Sequence, residues 1–173
     1  MLGSSAQIVV RRSRPQDAEA LAAVFGDAWR LAYRGIIPHA HLEDTIRRRG
    51  EQWWAGAIRS GEGLRVLQVG RKVAGYATFG LARCRGGRPA TSQGEIYELY
   101  LAPSHQGLGF GERLFESCRY ALDLRGLEGL LVWSLADNVG AIAFYWNRGG
   151  RPVAETTERI GGVRLKKVAF VWD

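Results

Sequence analysis

Along the chain, runs in which alternate residues are apolar give way to runs in which apolar residues return every three or four positions. The first pattern suits a half-buried strand, the second a helix resting on a core. Residues 7–12, QIVVRR, form a short β-rich run. After Asp17, Leu21, Val24, Phe25, Ala28 and Trp29 fall on one helical face. Gly35 and Pro38 break that helix, and a second helical region is predicted from about Leu42 to Ile58. Its apolar positions, Leu42, Ile46, Trp53, Trp54, Ala57 and Ile58, are less regular. LRVLQV (residues 64–69) and VAGYATFGLA (residues 73–82) flank Gly70-Arg71-Lys72 as a β-hairpin. CRGGRPATSQG, residues 84–94, is a loop by composition.

GEIYELYLAP, residues 94–103, reads as a central strand stopped by Pro103, which lacks the amide a ladder needs. Leu114, Cys118, Ala121 and Leu122 then make a helical stripe, and LLVWSL, residues 130–135, another strand. Residues 137–150 begin on a capping residue and end on glycines, as a short helix does. Residues 151–160 and 163–172 close the chain as a second hairpin around Gly161-Gly162. GGRP occurs twice, at Gly86 and Gly149, but four residues with unlike flanks are no repeat. This order predicts one α/β (α+β) domain over residues 1–173. Its sheet is mixed, mostly antiparallel, of six to seven strands with helices on both faces, and parallel where strand, helix and strand follow at residues 94–135.

Composition narrows the class. With 173 residues, 46% hydrophobic and 24% charged, the chain can bury a real core as a soluble globular protein. No apolar run approaches the roughly 18 to 20 residues of a membrane span, and MLGSSAQIVV lacks a basic region followed by a secretory core. A cytoplasmic protein without membrane association is expected. Cys84 and Cys118 are isolated and share no metal-type spacing with His39, His41 or His105. No metal is expected, the thiols read as packing or reduced surface groups, and the histidines as surface loop residues.

Formal charge is +7, and 21 of the 24 basic residues are arginines. That balance favours anionic partners, nucleic acid or a phosphorylated cofactor, although scattered arginines also make an ordinary solvated surface. The Arg47-Arg48-Arg49 run is read as a solvated helix face rather than a binding patch.

The candidate chemistry starts in SHQGLGFGERL, residues 104–114. A strand, then Gly107, Gly109 and Gly111, then a helix is a favourable place for phosphate, because the first helical amides are unpaired and the helix dipole adds positive charge. Glycines let a pyrophosphate touch amides from about Gly107 to Glu112. A dinucleotide loop is disfavoured: the motif comes late in the chain, and LLVWSL has no acidic residue at its end to hold a ribose.

From Glu95 to about Ala154 the chain resembles the GCN5-related N-acetyltransferase superfamily. GEIYELYLAPSHQGLGFGERLFE is similar to its motif A, with Q/R-x-x-G-x-G/A. LVWSLADNVGAIAFYWNRGGRPVAET is similar to motif B, in which an Asn precedes a Tyr by seven residues, here Asn138 and Tyr145. AWRLAYRGIIP, residues 28–38, resembles the acceptor-side segment of one bacterial branch. The resemblance implies acetyl-coenzyme A as donor and a primary amine as the commonest acceptor. It assigns the backbone of Leu99, Tyr100 and Leu101 to the pantetheine arm and thioester carbonyl. Gln106, Gly107, Leu108, Gly109, Phe110, Gly111 and Glu112 would hold the pyrophosphate, and Asn138 would contact the pantetheine or orient the cofactor tail.

Direct transfer requires a neutral amine and a proton for the departing thiolate. Tyr145 matches the family's general acid; a helix aromatic with a satisfied hydroxyl is the alternative. Glu95 aligns with the strand glutamate of histone-type members. Glu98, three residues on, falls on the opposite sheet face unless a bulge intervenes. Either is a candidate base acting through water, since carboxylates in so apolar a strand need a function or a partner. Members acting on ribosomal protein N-termini carry a glutamate where this chain has Trp133, which weighs against a protein N-terminus as acceptor. Trp29 and Tyr33, with Trp53 and Trp54, fall where the family builds its acceptor pocket, or serve as core. Neither cysteine sits at the motif positions beside the thioester, so a covalent route is not expected. The competing reading is a fold-retaining module that binds nucleic acid or protein without turnover. By resemblance, the closing hairpin is also a candidate homodimer surface.

Overall fold

Where one helical region was predicted between Leu42 and Ile58, the computed structural model has two helices, His39–Arg48 and Glu51–Ser60, separated at Gly50. Gly50 is extended, which resets the helical phase and brings Trp54 inward while Trp53 stays partly exposed. His39 and His41 therefore lie in the first turn of a helix rather than in a loop. The structure describes residues 5–61, 63–83 and 92–173, so Cys84 and the first GGRP lie outside the described residues. In chain order the elements are β1 (Ile8–Arg12), α1 (Ala18–Tyr33), α2 (His39–Arg48), α3 (Glu51–Ser60), β2 (Leu64–Val69), β3 (Lys72–Leu81), β4 (Gly94–Leu101), α4 (Phe110–Leu124), β5 (Leu130–Leu135), α5 (Val139–Asn147), β6 (Arg151–Ile160) and β7 (Val163–Trp172).

The strands make one seven-stranded sheet ordered β1-β2-β3-β4-β5-β7-β6. Among the described strands only β4 and β5 pair in parallel; the other pairs are antiparallel. Alternation along the strands supplies two apolar faces. On one, Leu114, Phe115 and Cys118 of α4 and Tyr145 of α5 meet Leu67, Ile96, Val132 and Phe170. On the other, Leu21 and Phe25 of α1 and Trp54 of α3 meet Val66 and Tyr76. No described helix is long and apolar enough to cross a membrane.

Two irregularities of β4 shape the centre of the sheet. The β3–β4 register shifts between Thr78 and Phe79, which face Glu98 and Ile96, so Tyr97 is an extra residue on β4. Such a bulge bends and twists its strand. The β4–β5 ladder covers only Gly94 to Ile96 against Leu130 to Val132. Past Ile96 the two strands part, and the β5-facing edge of β4 through Leu101 has no strand partner among the described residues.

The approach to α1 is pinned by Asp17. Its carboxylate accepts from both guanidinium nitrogens of Arg11, at 2.8 and 2.9 Å, and from the Arg14 amide at 2.7 Å. Burial pushes the Asp17 carboxyl up, but the Arg11 bonds and the Arg14 amide outweigh it and hold it below its ordinary value. A folded-state value below the unfolded one, about 3.9, adds stability above that pH and loses it as pH falls. Asp17→Asn is expected to lower stability by about 2 kcal/mol at neutral pH. In urea melts the variant and wild type should converge below about pH 4.

Candidate active site

The gap where β4 leaves β5 opens into a cavity of about 600 Å³, walled by β4, the turn that starts α4, α5 and the C-terminal part of α1. Its β4 wall is Leu99, Tyr100 and Leu101. The Leu101 carbonyl accepts from Gln106 Nε2 at 3.1 Å, which ties the following turn back to the strand end.

Gly107 and Gly109 have φ of 74° and 80°, in the left-handed region that side chains with a Cβ rarely adopt. With Gly109 as N-cap, α4 begins at Phe110 without a side-chain cap. Its first amides are therefore left for a ligand or solvent. Gly111 serves differently: a Cβ there would stand 2.8 Å from the Phe144 ring, so glycine lets α5 approach α4 closely.

Asn138 caps α5 by accepting the Ala141 amide at 3.2 Å. Two turns later Tyr145 occupies the same helix face and reaches the cavity wall. Its ring packs among Phe115, Phe144, Phe170 and Trp172. Among the described residues the hydroxyl has no hydrogen-bond partner. Burial pushes the Tyr145 phenol well up, so it keeps its proton.

The Tyr100 hydroxyl lies 2.6 Å from that of Tyr33. Burial raises the Tyr33 phenol, with Tyr100 and then the Asn138 side chain pulling it down. Hydroxyls thus run from the cavity into the helix layer. Behind them Glu98 is clamped by Arg49, two bonds of 2.8 Å, and accepts from Tyr76 at 3.2 Å. Arg49 lies 4.0 Å from the Phe25 and Trp53 ring centroids.

The acetyltransferase (GNAT) family model matches residues 22–149. The chain belongs to that family, and it is an acyltransferase. It is 32% identical over 166 residues, 95% of this chain and 92% of the relative, to the uncharacterized N-acetyltransferase YuaI of Bacillus subtilis. Its fold is similar to that of the PaiA N-acetyltransferase of Thermoplasma acidophilum in complex with coenzyme A. There the TM-score is 0.73 at 18% identity, covering 94% of this chain and 98% of that one. YncA, a putative acetyltransferase of Salmonella typhimurium solved with its cofactor acetyl-CoA, gives 0.67 at 19% identity, covering 95% and 92%.

Against this GNAT frame, the cavity brings together Leu99, Tyr100, Leu101, Gln106, Gly107, Gly111, Asn138 and Tyr145. Leu108, Gly109, Phe110 and Glu112 stand outside its wall, with Leu108 and Glu112 exposed. Glu95 and Glu98 do not line it either. Glu95 is buried and accepts the Arg83 amide at 2.8 Å and its guanidinium at 3.4 Å. Trp29 stacks on Phe25 and Tyr33 on Trp29 inside the helix layer, and Tyr33 meets the cavity residue Tyr100 through its hydroxyl. Cys118 is buried in the α4 core, where burial pushes its thiol up to about 12.

Leu31, Arg34 and Ile36, which close the cavity from α1 and the turn after it, lie in the acceptor-side segment 28–38, although only Trp29 and Tyr33 of that segment are named as candidates. Leu31 follows Val24 by seven residues and Ala28 by three, so it continues their stripe past the core, where it is 58% exposed at the cavity. The Arg47–Arg49 reading needs correction. Arg47 and Arg48 do pair with Asp44 in solvent, but α2 ends at Arg48 and Arg49 leaves the helical path. Its side chain turns inward to Glu98 and is 15% exposed.

Proposed function

We propose that this protein transfers an acetyl group from acetyl-coenzyme A to a primary amine by direct attack within a ternary complex. The observation that carries this reading is the convergence on one cavity of an unpaired strand edge, an uncapped glycine-led helix start and a protonated tyrosine. The free edge at Leu99 to Leu101 suits an extended amide-bearing arm, and an amide held there meets the thioester oxygen as negative charge develops. The α4 amides after Gly107 and Gly109 suit a pyrophosphate. Asn138 supports the same arm.

In the reaction the amine nitrogen bonds to the carbonyl carbon, the carbon–sulfur bond breaks, and the Tyr145 hydroxyl gives its proton to the sulfur. The amine proton leaves through water toward Glu98, preferred over Glu95 because Tyr100 and Tyr33 both feel its charge at the cavity side. Burial and a thiol pushed up to about 12 make Cys118 unsuited to a covalent acetyl route. The arginine run that motivated a nucleic-acid reading is divided, two members on Asp44 and one on Glu98.

The deciding experiment is release of free coenzyme A thiol with a panel of amines, polyamines, aminoglycosides and peptides with free N-termini. At least one class should give turnover above hydrolysis. No release from any class, together with no binding of coenzyme A, would overturn the reading.

A further inference from the structure

A second concavity, about 900 Å³, lies beside the active-site cavity. It is bounded by the N-terminal half of α1, the turn between β2 and β3, and the chain just after β4. Ala20, Val24 and Asp27 of α1 face it, whereas Ala28, Leu31 and Ala32 face the cavity. At a rise of about 1.5 Å per residue, the two hollows are centred roughly 10 Å apart along one helix. Pro103 and Ser104 line this second hollow, and Gln106, two residues on, lines the first.

The charge in this cleft is unbalanced. Arg11, Arg14, Arg71 and Lys72 converge on it from β1, the segment before α1, and the β2–β3 turn. Arg11 is committed: it holds Asp17 through two nitrogens and Gln68 through Nε at 2.9 Å. Arg71 and Lys72 pair with no carboxylate among the described residues, and Arg14 stands beside the Asp17–Arg11 pair, where its charge helps hold the Asp17 carboxyl down. The two acidic groups of the cleft do not offset them. Asp17 is consumed by Arg11, and Asp27 leans 3.9 Å toward Arg30 with 63% of its side chain exposed. Scattered surface cations need no ligand, but several cations lining one concave wall concentrate anions there. The rest of the wall is short and apolar, Ala20, Ala23, Val24, Val73 and Ala102, leaving room for a flat or aliphatic body.

We propose that this cleft binds the phosphate group of an organic phosphate, with Arg14, Arg71 and Lys72 as its cationic side and the alanine wall against its body. Two sources have this chemistry: the 3′-phosphate end of a coenzyme reaching out of the cavity, or a separate phosphorylated small molecule. Only the first rests on the acetyl-transfer reading.

The test is calorimetric titration of the protein with adenosine 3′,5′-bisphosphate at low salt, with no acyl acceptor present. Arg71 and Lys72 are exposed, so the double variant Arg71→Gln/Lys72→Gln should fold like wild type. Wild type should bind, and the double variant should bind roughly tenfold more weakly. Arg159→Gln/Arg164→Gln, which removes the same charge from the exposed β6–β7 hairpin, should keep the affinity within about twofold. Wild-type affinity in the double variant, an equal loss in the hairpin variant, or no binding at all would each overturn the proposal. Coenzyme A and dephospho-coenzyme A then separate the sources. Weakening of the first alone in the double variant makes the occupant the coenzyme; no change in either makes it a separate ligand. Failure of every amine to react would leave this binding result untouched.

Discussion

Replacing Tyr145 with phenylalanine is expected to lower kcat by about 10²- to 10³-fold and leave KM for acetyl-coenzyme A within about twofold. The substitution removes one oxygen and little else. Phenylalanine keeps the ring among Phe115, Phe170 and Trp172, and the hydroxyl has no described partner that its loss would orphan. Stability should therefore stay within about 0.5 kcal/mol. Because burial raises the phenol well above its ordinary value, Tyr145 holds its proton throughout the range in which amines lose theirs. Wild-type kcat should accordingly show no alkaline fall from tyrosine ionisation below about pH 10. Steady-state thiol release at saturating donor, with urea melts alongside, separates a lost proton donor from a lost fold. Wild-type kcat in the variant would remove Tyr145 from the acid role.

Much of this arrangement was legible in sequence because it is local. The β4 strand, its stop at Pro103, the glycines and the stripe of α4 are consecutive, and Asn138 and Tyr145 share a face because seven residues make two helical turns. Gly50 also sat in plain view, with the apolar spacing shifting phase from Ile46 to Trp53. What stayed hidden depends on residues far apart in the chain. Nothing near Tyr97 says that β4 carries an extra residue; that follows from its register against Thr78 and Phe79. The bulge decides the face of Glu98, which strict alternation would have set opposite Glu95. Gly111 looked like clearance for a ligand, but its missing Cβ is filled by Phe144 on the next helix. Trp29 and Tyr33 carried aromatic character suited to core or pocket alike, and only tertiary packing places them in the stack with Phe25.

Arg49 and Glu98 carry the second large effect. Glu98→Gln removes the charge opposite a guanidinium enclosed by Phe25, Trp53 and Trp54, and should cost about 3 kcal/mol of stability. Arg49→Met should cost a similar amount by stranding the carboxylate. The double variant Arg49→Met/Glu98→Gln should recover most of the loss, since methionine fills the aromatic slot and no charge remains unpaired. That recovery gives a folded protein in which the chemistry of Glu98 can be read apart from its structural work. If Glu98 receives the amine proton through water, the double variant should lose about 10²-fold in kcat/KM. A well-folded double variant with the wild-type kcat/KM would confine Glu98 to holding α2 and α3 on β4, and would leave deprotonation of the amine to solvent. The hydroxyls of Tyr76, Tyr100 and Tyr33 favour the first outcome: burial, and for each of them the charge of Glu98, raises the phenol, so all three stay protonated and able to relay rather than absorb a proton.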